Sequence, residues 1–176
     1  MRSIYAYAGS DKFNPAQALD LSYLDTLFNA PDADVMQKLG ATISDVDSQA
    51  PGGYDATNLL DGDPTTIWHT PWGANATPFP HHVTIEFKEA AKITGVVCLP
   101  RQDMQNALIK AYRIDVSDDG KTWREAAHGD FTDSWDEQRI RFPEPETVRY
   151  VRFTALSGWN PADPFVALAE ISVTTE

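Results

Sequence analysis

The chain has one cysteine in 176 residues, so no internal disulfide and no cysteine-based zinc cluster can form. Cys98 lies in the apolar run ITGVVCLP and reads as a buried core thiol. No apolar run reaches the ~18 residues of a membrane-spanning helix. The N-terminal stretch MRSIYAYAGSDK lacks the apolar centre of a secretory signal peptide. Basic side chains are scarce: 14 Lys and Arg stand against 26 Asp and Glu, a net charge of −12. Without a Lys/Arg cluster, nucleic acid is not an expected partner. The same sign opposes an anionic membrane surface, and no membrane insertion is expected. A Gly-x-Ser-x-Gly elbow is missing, and the lone cysteine sits in a predicted strand. His81 and His82 are neighbours on a strand and so point to opposite faces, which opposes a zinc site. Paired carboxylates of the glycosidase kind meet only in space, so their spacing says nothing. No catalytic set is legible, and an enzyme is not expected.

What is present changes character near Gly40. Residues 1–40 contain FNPAQALDLSYLDTLFNAPDADVMQKLG, in which Leu21, Leu24, Leu27 and Phe28 recur at helical spacing. Asn14 is suited to an N-cap, with Pro15 at the first helical position and Gln17 completing a capping box. This segment is expected to be a short helical appendage, or a linker from a preceding domain. Beyond Gly40 the period shortens to two. HVTIEF places Val83, Ile85 and Phe87 on one face, and KITGVVCLP, AYRIDVS, TWREAA, QRIRFP, TVRYVRFTAL and ALAEISVTT follow. Gly, Pro, Asp and Asn clusters separate them, DDGK at 118–121 being a turn signal. Seven or eight strands without alternating helices predict an all-β, antiparallel sandwich over residues 41–176.

Two groups of residues invite a functional reading. The stretch LLDGDPTT offers Asp61, Asp63, Thr65 and Thr66 on a tight turn. Calcium takes about six to eight hard oxygens of these kinds, whereas the bland alternative is a plain Asp-Gly turn. The second group is spread over three loops: His69 in WHT, Arg101 and Asn106 in LPRQDMQN, and Trp159 and Phe165 in SGWNPADPF. Strand ends of a sandwich converge, and an aromatic face beside planar hydrogen-bonding groups suits a sugar. On the alternative reading, Trp68 is core, Arg101 is a surface ion-pair partner and Trp159 caps the sandwich.

The order of motifs narrows the choice. ATNLLDGDPTTIWHTPW, PHHVTIEF, ITGVVCLPRQD, IKAYRIDVSDDGKTW, RYVRFTAL and ALAEISV run through residues 41–174. Together they resemble the discoidin-like domain, the coagulation factor 5/8 type C domain. WHT, PH and LPRQD are most similar to its bacterial branch, the family 32 carbohydrate-binding modules appended to secreted glycosidases. The resemblance implies a jelly-roll sandwich with a structural calcium held by Asp61, Asp63, Thr66, Glu170 and the Ala169 carbonyl, with Asn58 supporting the loop. It implies a sugar site of His69, Arg101, Asn106 and an aromatic, Trp159 or Phe165. The sequence departs from the family at Met104, where many relatives carry glycine. The function so implied is a non-catalytic module that targets an attached glycoside hydrolase to galactose- or hexosamine-type glycans. As an isolated module it is expected to be a monomer, and as part of a larger bacterial protein to be secreted or on the cell surface. The alternative within the same fold is an adhesion domain binding protein or phospholipid. Lipid-binding members typically carry a terminal disulfide and apolar spikes beside basic residues, and neither is seen here.

Overall fold

Two strands much longer than the rest set the architecture, β3 (His81–Pro100) and β6 (Gln138–Ala155). In this computed structural model, which describes residues 33–175, they pair antiparallel along most of their length. The other elements are helix α1 (Ala33–Lys38) and strands β1 (Thr42–Val46), β2 (Trp68–His69), β4 (Ala111–Ser117), β5 (Arg124–Asp130) and β7 (Ala167–Thr175). The pairings are antiparallel, in the order β2-β7-β3-β6-β4-β5, with β1 pairing the first half of β3 on the edge that β7 occupies along the second half.

The long strands bend between the two layers of the sandwich. His81–Glu86 of β3 lies between β1 and the Tyr150–Ala155 half of β6. Past register breaks between Glu86 and Ala91 and between Ile93 and Gly95, the remainder of β3 lies between β7 and the Gln138–Val148 half of β6. The sequence reads HVTIEF and KITGVVCLP as two strands, and likewise QRIRFP and TVRYVRFTAL. The structure runs each pair together, because the intervening polar residues form the bend without ending the ladder. Gly95 sits at the second break, where any Cβ would run into the Ile140 carbonyl oxygen; only glycine lets the two backbones approach there.

The expected apolar face is the core. Val83, Ile85, Phe87, Val151, Phe153 and Ala155 are fully buried, together with Trp68, Ile93, Cys98, Ile114 and Ile171. Burial pushes the Cys98 thiol well above its ordinary range, so it stays protonated.

Leu21, Leu24, Leu27 and Phe28 lie outside the described residues. The described end of the expected appendage is α1, which inserts Met36, 3% exposed, into the core. Gly40, with φ +60°, ends α1 in a Schellman motif: its N–H donates to the Gln37 carbonyl and the Ala41 N–H to that of Met36. The Lys88 N–H then donates to the Leu39 carbonyl, tying the helix end to β3. Among the described residues no helix is long and apolar enough to cross a membrane.

Candidate functional site

Strand β2 has only two residues, and each begins a different piece of chemistry. Trp68 pairs with Leu168 and His69 with Ala167 of β7. The Trp68 ring is fully buried, its Nε1–H donating to the Ser48 carbonyl at 3.0 Å, so it anchors the strand. Continuing the register backwards brings the 61–66 loop to Glu170. Continuing it forwards, Thr70 donates its N–H to the Val166 carbonyl and accepts the Val166 N–H at Oγ1, both at 3.0 Å. Strand β7 thereby fixes the acidic loop at one end of β2 and His69 at the other.

The acidic loop is organised by its own side chains. Asp61 Oδ1 accepts the Asp63 N–H at 2.8 Å across Gly62, whose φ of +76° suits glycine. Asp63 Oδ1 accepts both the N–H and the hydroxyl of Thr65, which holds its carboxyl below the ordinary range. Thr66 Oγ1 donates to Asp61 Oδ2 at 2.8 Å. Asn58 bridges the loop's base, its amide donating to the Gly53 and Ile67 carbonyls. Glu170 faces this loop from β7, with the fully buried Ala169 beside it. Its Oε1 is buried with no hydrogen-bond partner. Burial first, and then the Asp61 and Asp63 charges, push its carboxyl up to about 7. Such a group requires a proton or a cation. The donors nearby are carboxylates, hydroxyls and backbone carbonyls, the set a hard cation takes. Among the described residues no cluster of three His, Cys, Asp or Glu converges into a centre built from those side chains alone. The loop therefore fits a cation held largely by mixed oxygen donors.

At the other end of β2, His69 is 5% exposed. Its Nδ1 meets the Thr70 carbonyl, which can only accept, so Nδ1 carries the proton and Nε2 is left as an acceptor. Burial first, with the Arg101 charge adding to it, lowers the His69 pKa and keeps the ring neutral. Phe165 stacks on it at 5.5 Å between ring centroids, and Trp72 and Tyr54 meet it edge-on at 4.8 and 5.8 Å. Arg101 follows β3 directly and is 4% exposed. Its Nε and Nη2 donate to the two oxygens of Asp103 at 2.7 and 2.8 Å, and its Nη1 donates to Asn106 Oδ1 at 2.9 Å. Three of the five guanidinium N–H groups are thus used within the protein, leaving one on each terminal nitrogen. Arg101 in turn holds the Asp103 carboxyl below its ordinary range.

The structure thus brings His69, Arg101, Asn106 and Phe165 to one end of the β2-β7-β3 ladder. Met104 occupies an exposed position between Asp103 and Asn106 without preventing Asn106 from reaching Arg101. Trp159 lies elsewhere on its loop: its ring sits under Lys110 Nζ at 5.0 Å, and its backbone N–H donates to the Leu108 carbonyl. Three site residues escaped the sequence reading. Trp72, 46% exposed, was visible three places after His69 in WHTPW, and Asp103 in RQD. Tyr54 gave no signal, because only the fold brings it to His69.

Comparison with known proteins identifies the family and the fold. The chain matches the F5/8 type C domain over residues 42–171. It is 37% identical over 136 residues to a sialidase of Micromonospora viridifaciens, covering 75% of this chain and 21% of that protein. It is 36% identical over 130 residues to a galactose oxidase of Gibberella zeae, covering 70% of this chain and 18% of that protein. The chain thus spans about a fifth of the length of these relatives. Among solved structures, a family 32 carbohydrate-binding module from Clostridium perfringens in complex with GalNAc-β-1,3-galactose is 29% identical, with a TM-score of 0.67 over 77% of this chain and 94% of that one. The family 32 module of C. perfringens NanJ in complex with galactose is 26% identical, with a TM-score of 0.68 over 79% of this chain and 96% of that one. The chain belongs to the F5/8 type C domain family and has the fold of its non-catalytic family 32 carbohydrate-binding modules.

Proposed function

We propose that this domain binds galactose- or N-acetylgalactosamine-type sugars at the His69–Arg101 site and directs an attached glycoside hydrolase to glycans that carry them. The observation that carries the reading is the Arg101 clamp. A buried guanidinium fixed by Asp103 and Asn106 has two N–H groups left over, a geometry able to hold neighbouring hydroxyls. His69 Nε2 accepts a hydroxyl proton beside it. Asn106, whose oxygen is taken by Arg101, offers its amide N–H groups. Trp72 and Phe165 supply the apolar surface for the C–H face of the ring. The ligands of the two C. perfringens structures support the sugar class. The sialidase relative supports attachment to an enzyme that acts on glycans.

A monosaccharide on so few contacts should bind with a dissociation constant on the order of 0.1–1 mM, roughly −5.5 to −4 kcal/mol. Titration calorimetry with galactose and N-acetylgalactosamine tests this. Arg101→Ala should abolish measurable binding while leaving the domain folded. Affinity should stay level above about pH 6.5 and fall below it, as His69, whose pKa lies under its ordinary 6.5, protonates and loses its acceptor. An Arg101→Ala variant that binds like the parent would refute the assignment.

Asp61, Asp63, Thr66, Ala169 and Glu170 would hold a calcium ion, which when bound supplies positive charge to the half-buried Glu170 carboxylate. The unpartnered Glu170 oxygen supports this. Excess chelator should lower the melting temperature, and added calcium should restore it, since a ligand of the folded state stabilises by mass action. An unchanged melting curve together with no metal by elemental analysis is the outcome against it.

A further inference from the structure

Beside the Arg101 clamp lies a second hollow, of about 280 Å³, lined by Gln105, Leu108, Asp133, Ser134 and Trp135. Its walls come from two loops, one of which is the ligand loop itself. Gln105 precedes Asn106, so the hollow begins one residue, about 3.8 Å of backbone, from a side chain that holds Arg101. The other loop, between β5 and β6, is firmly built. Gln138, 8% exposed, accepts the Thr132 N–H and hydroxyl and donates to Thr132 Oγ1 and the Asp136 carbonyl. Ser134 donates its hydroxyl to Asp136 and its N–H to the Thr132 carbonyl. Gln102, the residue after Arg101, donates its amide to the Trp135 carbonyl at 2.9 Å and to the Pro100 carbonyl at 2.7 Å, joining the two loops. This rigid scaffold presents a tryptophan side chain that is 38% exposed.

We propose that this hollow is a second subsite, which takes the sugar unit next to the one held at His69 and Arg101, so that the domain reads a disaccharide. The inference rests on the function proposed above and extends it. The chemistry is that of a saccharide subsite: a partly exposed tryptophan, the planar amide of Gln105, and the Asp133 and Ser134 oxygens as hydroxyl partners. The volume lies just under the roughly 300 Å³ at which pockets for drug-sized ligands begin, in keeping with a single ring. Asp133 and the net charge of −12 oppose a carboxylated sugar, so the occupant is a neutral unit.

The test is calorimetric titration of the full chain with galactose, lactose and GalNAc-β-1,3-galactose, on the parent and on Trp135→Ala, Gln105→Ala and Arg101→Ala. The loop is held by backbone groups and by Gln102 and Gln138, so Trp135→Ala should fold. At least one disaccharide should bind the parent about three- to tenfold more tightly than galactose, the order expected of one added aromatic contact. Trp135→Ala should erase that advantage and leave galactose affinity within twofold, with Gln105→Ala moving in the same direction. A parent without disaccharide preference, or a Trp135→Ala variant that keeps it, overturns the subsite. An Arg101→Ala variant that still binds galactose marks failure of the primary site instead, and the subsite, which rests on it, falls as well.

Discussion

At the scale of the residue, Asp103 does more for the site than its exposed position suggests. Both its oxygens are committed to Arg101, and they decide which guanidinium N–H groups remain for a ligand. Replacing it by Asn keeps the shape but removes the charge that orients the fork. The Asp103 side chain is 57% exposed, so solvent screens the pair, and the expected cost is about 1 kcal/mol. Asp103→Asn should weaken galactose binding roughly fivefold with little change in melting temperature, readable by titration calorimetry against the parent. Arg101 was legible in the sequence because it stands directly after an apolar strand, where a fork at the sandwich end is poised for a ligand. Its orienting partner was not, since a carboxylate two places along is read by default as solvated surface. Likewise SGWNPADPF offered Trp159 first, with Phe165 in reserve, as the aromatic to stack on a sugar ring, and only the fold places the two. The loop turns Phe165 to His69 and Trp159 to Lys110.

At the scale of the element, one buried histidine ties three segments together. His81, fully buried at the start of β3, has Nδ1 at 2.8 Å from Asp47 Oδ2, after β1, and Nε2 at 2.8 Å from the Pro164 carbonyl, next to Phe165. Only the protonated ring donates to both. Burial alone would lower its pKa, but the Asp47 and Pro164 oxygens more than offset that and the net shift is upward. Asp47 opposes its own burial in the same way, through hydrogen bonds from His81, His82 and Ser48, and its carboxyl is lowered. The signs define a window. The histidine contribution is fully present below about pH 6.5 and is lost as pH rises through its raised pKa. The aspartate contribution is present above about pH 3.8 and is lost as pH falls through its lowered one. Thermal melts from pH 4 to pH 9 should show stability declining on the alkaline side, and Asp47→Asn should flatten that decline. A parent melting temperature that does not fall between pH 6.5 and pH 9 would exclude a charged His81. His81 and His82 were expected on opposite faces, and they are: His82 points outward to Asp45.

Helix α1 makes a second case at this scale. Met36 lies in the core although it precedes every strand, so deletion of residues 1–40 and deletion of residues 1–32 should differ. Both should leave a folded sandwich, but the longer deletion removes a buried methionine. Met36→Ala isolates that loss at about 2–3 kcal/mol, measurable by urea denaturation. A cost below about 0.5 kcal/mol would show that the core closes without α1.

At the scale of the whole molecule, the sandwich was legible from period-two alternation, and its strand count nearly so. Thr84 and Ser172 are buried polar residues within strands, and such positions blur the alternation without ending a ladder. The bends within β3 and β6 were hidden for a related reason: the few residues between HVTIEF and KITGVVCLP, and between QRIRFP and TVRYVRFTAL, read as loops by composition, yet each strand runs on through them and pairing resumes beyond a register break. The sequence order of motifs carried more than any one of them, because the acidic loop and His69 acquire meaning from the strand they share.

Because β3 and β6 each belong to both layers, neither layer is a separable part. Opening one sheet at its edge leaves the middle of both long strands still clamped in the other, and prising the layers apart means bending two continuous backbones that already turn at glycine and register breaks. Amide exchange in the strands flanking the proposed sugar and cation sites should accordingly proceed only with global opening of this sandwich, as one event and at one rate-limiting free energy. Wear at one edge would not accumulate as partial damage; a domain displayed in a protease-rich medium would persist whole until it failed whole.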